Sequence, residues 1–285
     1  MTPDFPPVTR FAPSPTGLLH LGHAHSALVA WHAARDRGGR HLLRIEDIDP
    51  TRCRPEFEAA IVEDLDWLGV DRDGPARRQS DHMDDYRAAL GRLEAAELVY
   101  PCFCTRADIR REIEAAGGAP HGPEGPVYPG TCRALTRAAR EARIAAGDAW
   151  ALRLDMLRAI AAAGGGLEWH DIHAGPQRAT PGRFGDVVLA RKETPTSYHL
   201  SVTVDDALQG VTLVTRGMDL FEATHIHRLL QALLDLPVPE WAHHPLLTDE
   251  NGRRYAKRDK SLTLRALREQ GLSAADVRKR AGFSR

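Results

Sequence analysis

With 285 residues, 42% of them hydrophobic and 27% charged, the chain is long enough to bury a substantial core in one or two domains. A formal net charge of −1 favours no class of partner, no apolar run approaches a membrane span, and the start "MTPDFPPVTR" lacks the apolar stretch of a secretory signal. Four cysteines are too few for a disulfide framework in a chain this long, so a reducing cytoplasm is expected.

Val8 to Phe11 reads as a short strand that Pro13, Pro15 and Gly17 cannot continue, because proline offers no ladder donor and glycine favours turns. From Leu18 an apolar pattern at helical spacing (Leu18, Leu21, Leu28, Trp31) predicts a helix with His20 and His23 on one face of its first turn. The amides and dipole of a helix start form a natural phosphate site, to which two imidazoles and a hydroxyl at Ser14 or Thr16 add donors. "HLLRIEDID" reads as a strand ending in acids. Helices follow over about Pro55 to Leu68 and His82 to Leu98, the rhythm of a parallel sheet with crossover helices. After Tyr100 the rhythm breaks into "PCFC", a helical stretch, the loop "AAGGAPHGPEGPVYPGTC" and the strand-like "WALRLDM" and "LEWHDIH". Alternation resumes with "DVVLARKE", "YHLSVTVDDAL", "VTLVTRG" and the helix "EATHIHRLLQALLDL"; the chain closes on "GRRYAKRDKS" and two short helical patterns.

This order predicts an α/β fold in which a Rossmann-like nucleotide-binding catalytic domain, in halves 1–99 and 186–245, is interrupted by an α/β subdomain at 100–185. Residues 246–285 form a loop and a short helical C-terminus. Only four of the 38 basic residues are lysine, and two of those, Lys257 and Lys260, fall in "AKRDKS", which suggests that a compact, flexible charge is wanted there. Cys102 and Cys104 form C-x-C, while Tyr128 and Cys132 form Y-x₃-C across the loop. Three thiolates do not complete a zinc tetrahedron. Ordinary ligand chemistry suggests His121 as the fourth, and half-buried cysteines without metal are the plain alternative. Cys53 stands apart from this group.

Five ordered motifs over about residues 8 to 262 resemble the class I aminoacyl-tRNA synthetases, in the glutamyl and glutaminyl branch. They are "RFAPSPTG…HLGH", "LRIEDIDPTR" beside the branch's "LRIEDTDxxR", the C-x-C…Y-x₃-C pattern, "YHLSVTVDDALQGVTLVTRGMDL", and "KRDKS" beside KMSKS. The resemblance implies that His20 and His23 hold ATP phosphates and the charge of adenylate formation, and that Lys260, with Lys257, serves the leaving pyrophosphate. It implies a glutamate site at Arg10, Phe11, Ala12, Pro13, Ser14, Glu46, Tyr198 and Arg216, with Glu46 on the α-ammonium and the two arginines on the two carboxylates. It also implies one structural zinc on Cys102, Cys104, Tyr128 and Cys132, with magnesium arriving on ATP. Arg258 and Asp259 depart from the KMSKS pattern. Only about two dozen residues follow that loop, as in the short glutamyl-queuosine members, which implies a monomer that activates glutamate and transfers it to queuosine of tRNA(Asp). A truncated glutamyl-tRNA synthetase charging tRNA(Glu), or a non-catalytic RNA-binding relic, is the alternative. Two C-terminal helices would bring Arg265, Arg268 and Arg278 near RNA phosphates.

Overall fold

The computed structural model describes residues 5–115, 121–192, 194–247 and 263–283. Strand β1 (Val8–Phe11) crosses through helix α1 (Leu21–Arg35) to β2 (Arg40–Ile45), its parallel neighbour, with Val8 opposite Arg40 and Phe11 opposite Leu43. Helix α1 lays Leu21, Ala24, Ala27, Leu28 and Ala34 into the core. It starts at Leu21 rather than Leu18, because His20 has extended geometry and caps it. Helix α2 (Pro55–Leu68) has the limits its sequence announces. Pro55 sits at the start, where its missing N–H is no loss, and Gly69 at φ 71° takes the left-handed cap. Strand β3 (Arg77–Arg78) extends the sheet beyond β2, and α3 (Met83–Ala95) follows, shorter than expected at both ends.

Strand β4 (Val99–Cys102) leads into α4 (Arg106–Ala115), the small hairpin β5 (His121–Gly122) and β6 (Gly125–Pro126), and α5 (Arg137–Ala145). Then come β7 (Ala151–Leu154), α6 (Met156–Ala162), β8 (Glu168–Asp171), β9 (Gly175–Arg178) and β10 (Val188–Arg191). Strands β10, β7 and β4 form an antiparallel sheet in that order. Helix α7 (Tyr198–Leu208), β11 (Leu213–Gly217), α8 (Thr224–Leu233) and β12 (Glu240–His244) complete the second half. Hydrogen bonding crosses the limits drawn at 100 and 185: β8 joins β12 in parallel, with β9 outside it, and β10 pairs with β7.

Strands β1 and β11 lie side by side. The Thr212 N–H donates to the Val8 carbonyl at 3.0 Å and the Val8 N–H to Thr212 Oγ1 at 2.9 Å. The sheets β1-β2-β3 and β11-β12-β8-β9 therefore abut at β1 and β11, and the order of strands runs outward in opposite directions from that seam. In an open α/β sheet the crevice beyond the carboxyl ends at such a switch is where ligands bind.

Helices α9 (Leu264–Glu269) and α10 (Ala274–Arg280) bury Leu264, Leu267, Val277 and Ala281 in one cluster with Leu28, Ile61 and Leu65 of α1 and α2. Three of their arginines are engaged within the chain. Arg268 meets Glu63 at 3.0 Å, Arg265 meets Glu63 at 3.8 Å, and Arg278 donates to the Leu68 carbonyl at 3.1 Å. Among the described residues no helix is long and apolar enough to cross a membrane.

Candidate active site

A cleft of about 520 Å³ opens at the switch point, and Arg10, Phe11, Ala12, Pro13, Ser14, His20, His23, Glu46, Tyr198 and Arg216 all line it. Each comes from an element end. Arg10 is on β1, Glu46 directly follows β2, Tyr198 opens α7 and Arg216 is near the end of β11. Lys257 and Lys260 lie outside the described residues. The described chain leaves at Leu247, which lines the cleft, and returns at Thr263, which bridges to His20.

His20 and His23 make a reciprocal capping box. The Gly22 N–H donates to His20 Nδ1 at 3.1 Å, and the His20 N–H donates to His23 Nδ1 at 3.2 Å. The rings stack with centroids 3.7 Å apart. An Nδ1 that accepts a hydrogen bond puts the proton of a neutral ring on Nε2, so both rings become Nε2–H donors at the start of a helix. That is the arrangement an anionic phosphate chain requires.

Two of the arginines are tied to carboxylates. Arg10 Nε donates to Asp206 Oδ1 at 2.9 Å and its Nη1 to the Thr215 carbonyl at 3.1 Å. Arg44, wholly buried, donates to Asp206 Oδ1 at 2.7 Å and to Glu46 Oε1 at 3.2 Å. Burial alone would lower the Arg44 pKa, yet Asp206, Glu46 and Asp205 raise it on balance. Burial pushes the Glu46 pKa up against the pull of Arg44 and Arg10, while at Asp206 the same two arginines outweigh burial and hold it low.

Arg216 differs. Its guanidinium donates to His243 Nε2 at 3.0 Å, His227 Nδ1 at 3.1 Å, Thr224 Oγ1 at 2.6 Å and the Tyr198 hydroxyl at 3.4 Å, all uncharged acceptors. Among the described residues no carboxylate pairs with it, and burial lowers its pKa. A desolvated cation without a counter-charge, on the wall of a cleft, is a seat for an anionic ligand.

A model described as tRNA synthetases class I (E and Q), catalytic domain, matches residues 7–279. The chain belongs to this family. A relative from Rhodobacter capsulatus named glutamyl-Q tRNA(Asp) synthetase is 52% identical over 97% of this chain and 100% of its own length. A glutamate–tRNA ligase of Aquifex aeolicus is 38% identical over 92% of this chain but 54% of its own. A crystal structure of a glutamate tRNA ligase from Elizabethkingia meningosepticum in complex with its amino acid matches with TM-score 0.76 at 29% identity, covering 90% of this chain and 53% of that one. The chain thus spans about half the length of these two ligases.

In this class I (E and Q) synthetase a second polar cluster lies in the hydrophobic group around Tyr100 and Phe103. The sulfurs of Cys102, Cys104 and Cys132 lie within 4.8 Å of one another. The Tyr128 hydroxyl sits 3.3 Å from Cys102 Sγ and 3.5 Å from Cys104 Sγ, and Cys104 and Cys132 Sγ are 3.5 Å apart. Ligands on a tetrahedral zinc with Zn–S near 2.3 Å stand roughly 3.8 Å apart. The donor set fits a metal: three thiols and a phenol converge, and burial pushes the Cys104 pKa up to about 12, which a bound cation would reverse. The His121 side chain lies outside the described residues.

Sequence reasoning passed over Asp206, Arg44, His243, His227, Thr224 and Asp171. The doublets "DD" in "VTVDDAL" and "HH" in "WAHHP" were the visible traces. Neither declares whether it faces core or cleft until β12 stands beside β11 with His243 opposite Arg216.

Proposed function

We propose that the protein activates glutamate with ATP and transfers it to queuosine at the wobble position of tRNA(Asp). The observation that carries the glutamate reading is a cleft-wall guanidinium, Arg216, that no carboxylate among the described residues pairs with. Arg10 and Arg44 are already paired with Asp206, Glu46 and Asp205, whereas Arg216 donates only to His243, His227, Thr224 and Tyr198. Zwitterionic glutamate brings one net negative charge, and glutamine none. Glu46 receives the α-ammonium, Arg10 the side-chain carboxylate and Arg216 the other carboxylate. Because Asp206 already accompanies Arg10, discrimination against glutamine rests on Arg10 and Arg216 together, two guanidiniums for two carboxylates, rather than on a bare Arg10.

Activation is an in-line attack of a glutamate carboxylate oxygen on the α-phosphorus, with pyrophosphate leaving. Such a step needs positioning and charge stabilisation more than a covalent nucleophile. His20 and His23 turn Nε2–H donors to the phosphates, and the backbone from Phe11 to Ser14 lets the ligand approach closely. Lys257 and Lys260 serve the departing pyrophosphate. Magnesium carried in on ATP would neutralise phosphate charge. A hydroxyl of the queuosine cyclopentene ring then takes the glutamyl group and releases AMP. Cys102, Cys104, Cys132 and Tyr128 hold a zinc that braces the 100–185 segment.

The queuosine acceptor is supported by relatives named glutamyl-Q tRNA(Asp) synthetase that are matched along 100% and 83% of their own lengths. Base-specific recognition of RNA favours unpaired loop nucleotides, as a wobble base is. The test is transfer of labelled glutamate to tRNA(Asp) bearing queuosine or guanosine and to tRNA(Glu). Label on the queuosine form alone is expected, and efficient charging of the tRNA(Glu) 3′ end would replace this acceptor. Pyrophosphate exchange should depend on glutamate and hardly respond to glutamine.

A further inference from the structure

We propose that His243 and His227 are positioning residues that hold the Arg216 guanidinium, still uncompensated, for the carboxylate of the amino-acid substrate. The inference rests on the glutamate reading above and extends it to residues that touch no ligand. An imidazole nitrogen accepts from an arginine only when it carries no proton, so each ring must be neutral with its proton on the far nitrogen. The far nitrogen of His243 is Nδ1, which lies 2.7 Å from Asp171 Oδ2. Asp171 is fully buried and fixed by the N–H groups of His243, His173 and Ala174. That carboxylate therefore selects the tautomer whose Nε2 lone pair points at Arg216 Nε.

The second line runs the same way. His227 accepts from Arg216 at Nδ1, its Nε2 lies 3.2 Å from His199 Nδ1, and His199 Nε2 lies 3.4 Å from Glu124 Oε1. One direction of donation satisfies every contact, from Arg216 through His227 and His199 to Glu124. Burial, then the charge of Arg216, lowers both imidazole pKa values, His243 to about 4, so both rings are neutral at physiological pH. Thr224 adds a third support: its hydroxyl accepts from Arg216 Nη2 at 2.6 Å and reaches His243 Nε2 at 3.4 Å.

The two lines end on carboxylates but keep a neutral ring between each carboxylate and the guanidinium. A carboxylate in direct contact would orient Arg216 equally well and would compete with the ligand for it. Interposed imidazoles separate the two tasks. They fix the geometry and leave the charge to the substrate.

The experiment measures glutamate-dependent pyrophosphate exchange, with KM for glutamate and for ATP taken separately, in His243→Leu and His227→Leu and in the acceptor-keeping variants His243→Gln and His227→Asn. Loss of one hydrogen bond to a charged group should raise the glutamate KM roughly 10- to 100-fold. The ATP KM and kcat should move less than about threefold, the range left to indirect effects once the ATP contacts are intact. The Gln and Asn variants should recover a large part of the loss, and thermal melting identifies any variant that is merely unfolded. A glutamate KM within threefold of wild type in both leucine variants, or equal losses for glutamate and ATP, overturns the inference while wild-type exchange continues. Absence of glutamate-dependent exchange in the wild type overturns the underlying function instead.

Discussion

Asp206 is the residue whose loss tests the architecture of the cleft most directly. Its carboxylate binds Arg10 Nε at 2.9 Å and Arg44 Nη1 at 2.7 Å, with side-chain exposures of 9%, 5% and 0% for Asp206, Arg10 and Arg44. Asp206→Asn keeps the shape and removes the charge. Arg44 retains Glu46 at 3.2 Å and Asp205 at 3.8 Å, but Arg10 is left without a carboxylate partner among the described residues. Removing one member of a buried pair costs about 3–5 kcal/mol. At about 2–4 °C per kcal/mol for a chain somewhat shorter than this one, Tm should fall by roughly 6–20 °C. The exposed pair Asp84–Arg87, whose acid is 94% exposed, supplies the control: Asp84→Asn should leave Tm almost unchanged. The sign with pH is also determined. Asp206 titrates below its ordinary 3.8 in the folded chain, so its contribution is complete above that value and is lost as pH falls through the lower folded value. The difference in Tm between wild type and variant should therefore be constant above about pH 5 and shrink below about pH 4. Calorimetry across this range is the assay. A drop of less than about 2 °C at pH 7, under the worth of one kcal/mol, would show that Asp206 does not brace the arginines.

Lys260→Ala should slow pyrophosphate exchange roughly 100- to 1,000-fold, the effect of losing one charge-stabilising contact, and Lys257→Ala less; equal rates in the two would refute their assigned roles. Metal analysis of protein prepared without chelators should find about one zinc per chain, lost in Cys102→Ser and Cys132→Ser together with stability of the insert; none found would return these cysteines to plain packing. Asp64, 1% exposed, has its pKa pushed from 3.8 up to about 6, first by burial, so the fold loses stability as pH rises between those two values and the loss is complete above the upper one. Asp64→Asn should gain roughly 2–3 kcal/mol in urea unfolding at pH 8 and almost nothing at pH 4, and equal stability at pH 8 would contradict the burial argument.

Local chemistry made much of the chain legible before any fold was seen. Strand β1 between Val8 and Phe11 and helix α2 between Pro55 and Leu68 have the limits their residues announce, because proline at a helix start and glycine at its end act through adjacent backbone alone. Three of the ordered motifs likewise hold residues that line the cleft, from Arg10 to His23, at Glu46 and from Tyr198 to Arg216, since each is a strand end or helix start read within a few positions. What sequence could not supply depends on contacts between distant segments. "YHLSVTVDDAL" carries β-branched residues at Val202, Thr203 and Val204 yet is a helix, because it is buried from His199 to Asp206 and packing overrides propensity. His20 became a cap rather than a first-turn residue only once its Nδ1 met the Gly22 amide. The pairing of Asp206 with Arg10 spans 196 positions and that of Asp171 with His243 spans 72. Whether a buried arginine is neutralised or left charged is settled by which strand lies beside it, and that is a property of the sheet order, since periodicity shows only that a side chain points inward.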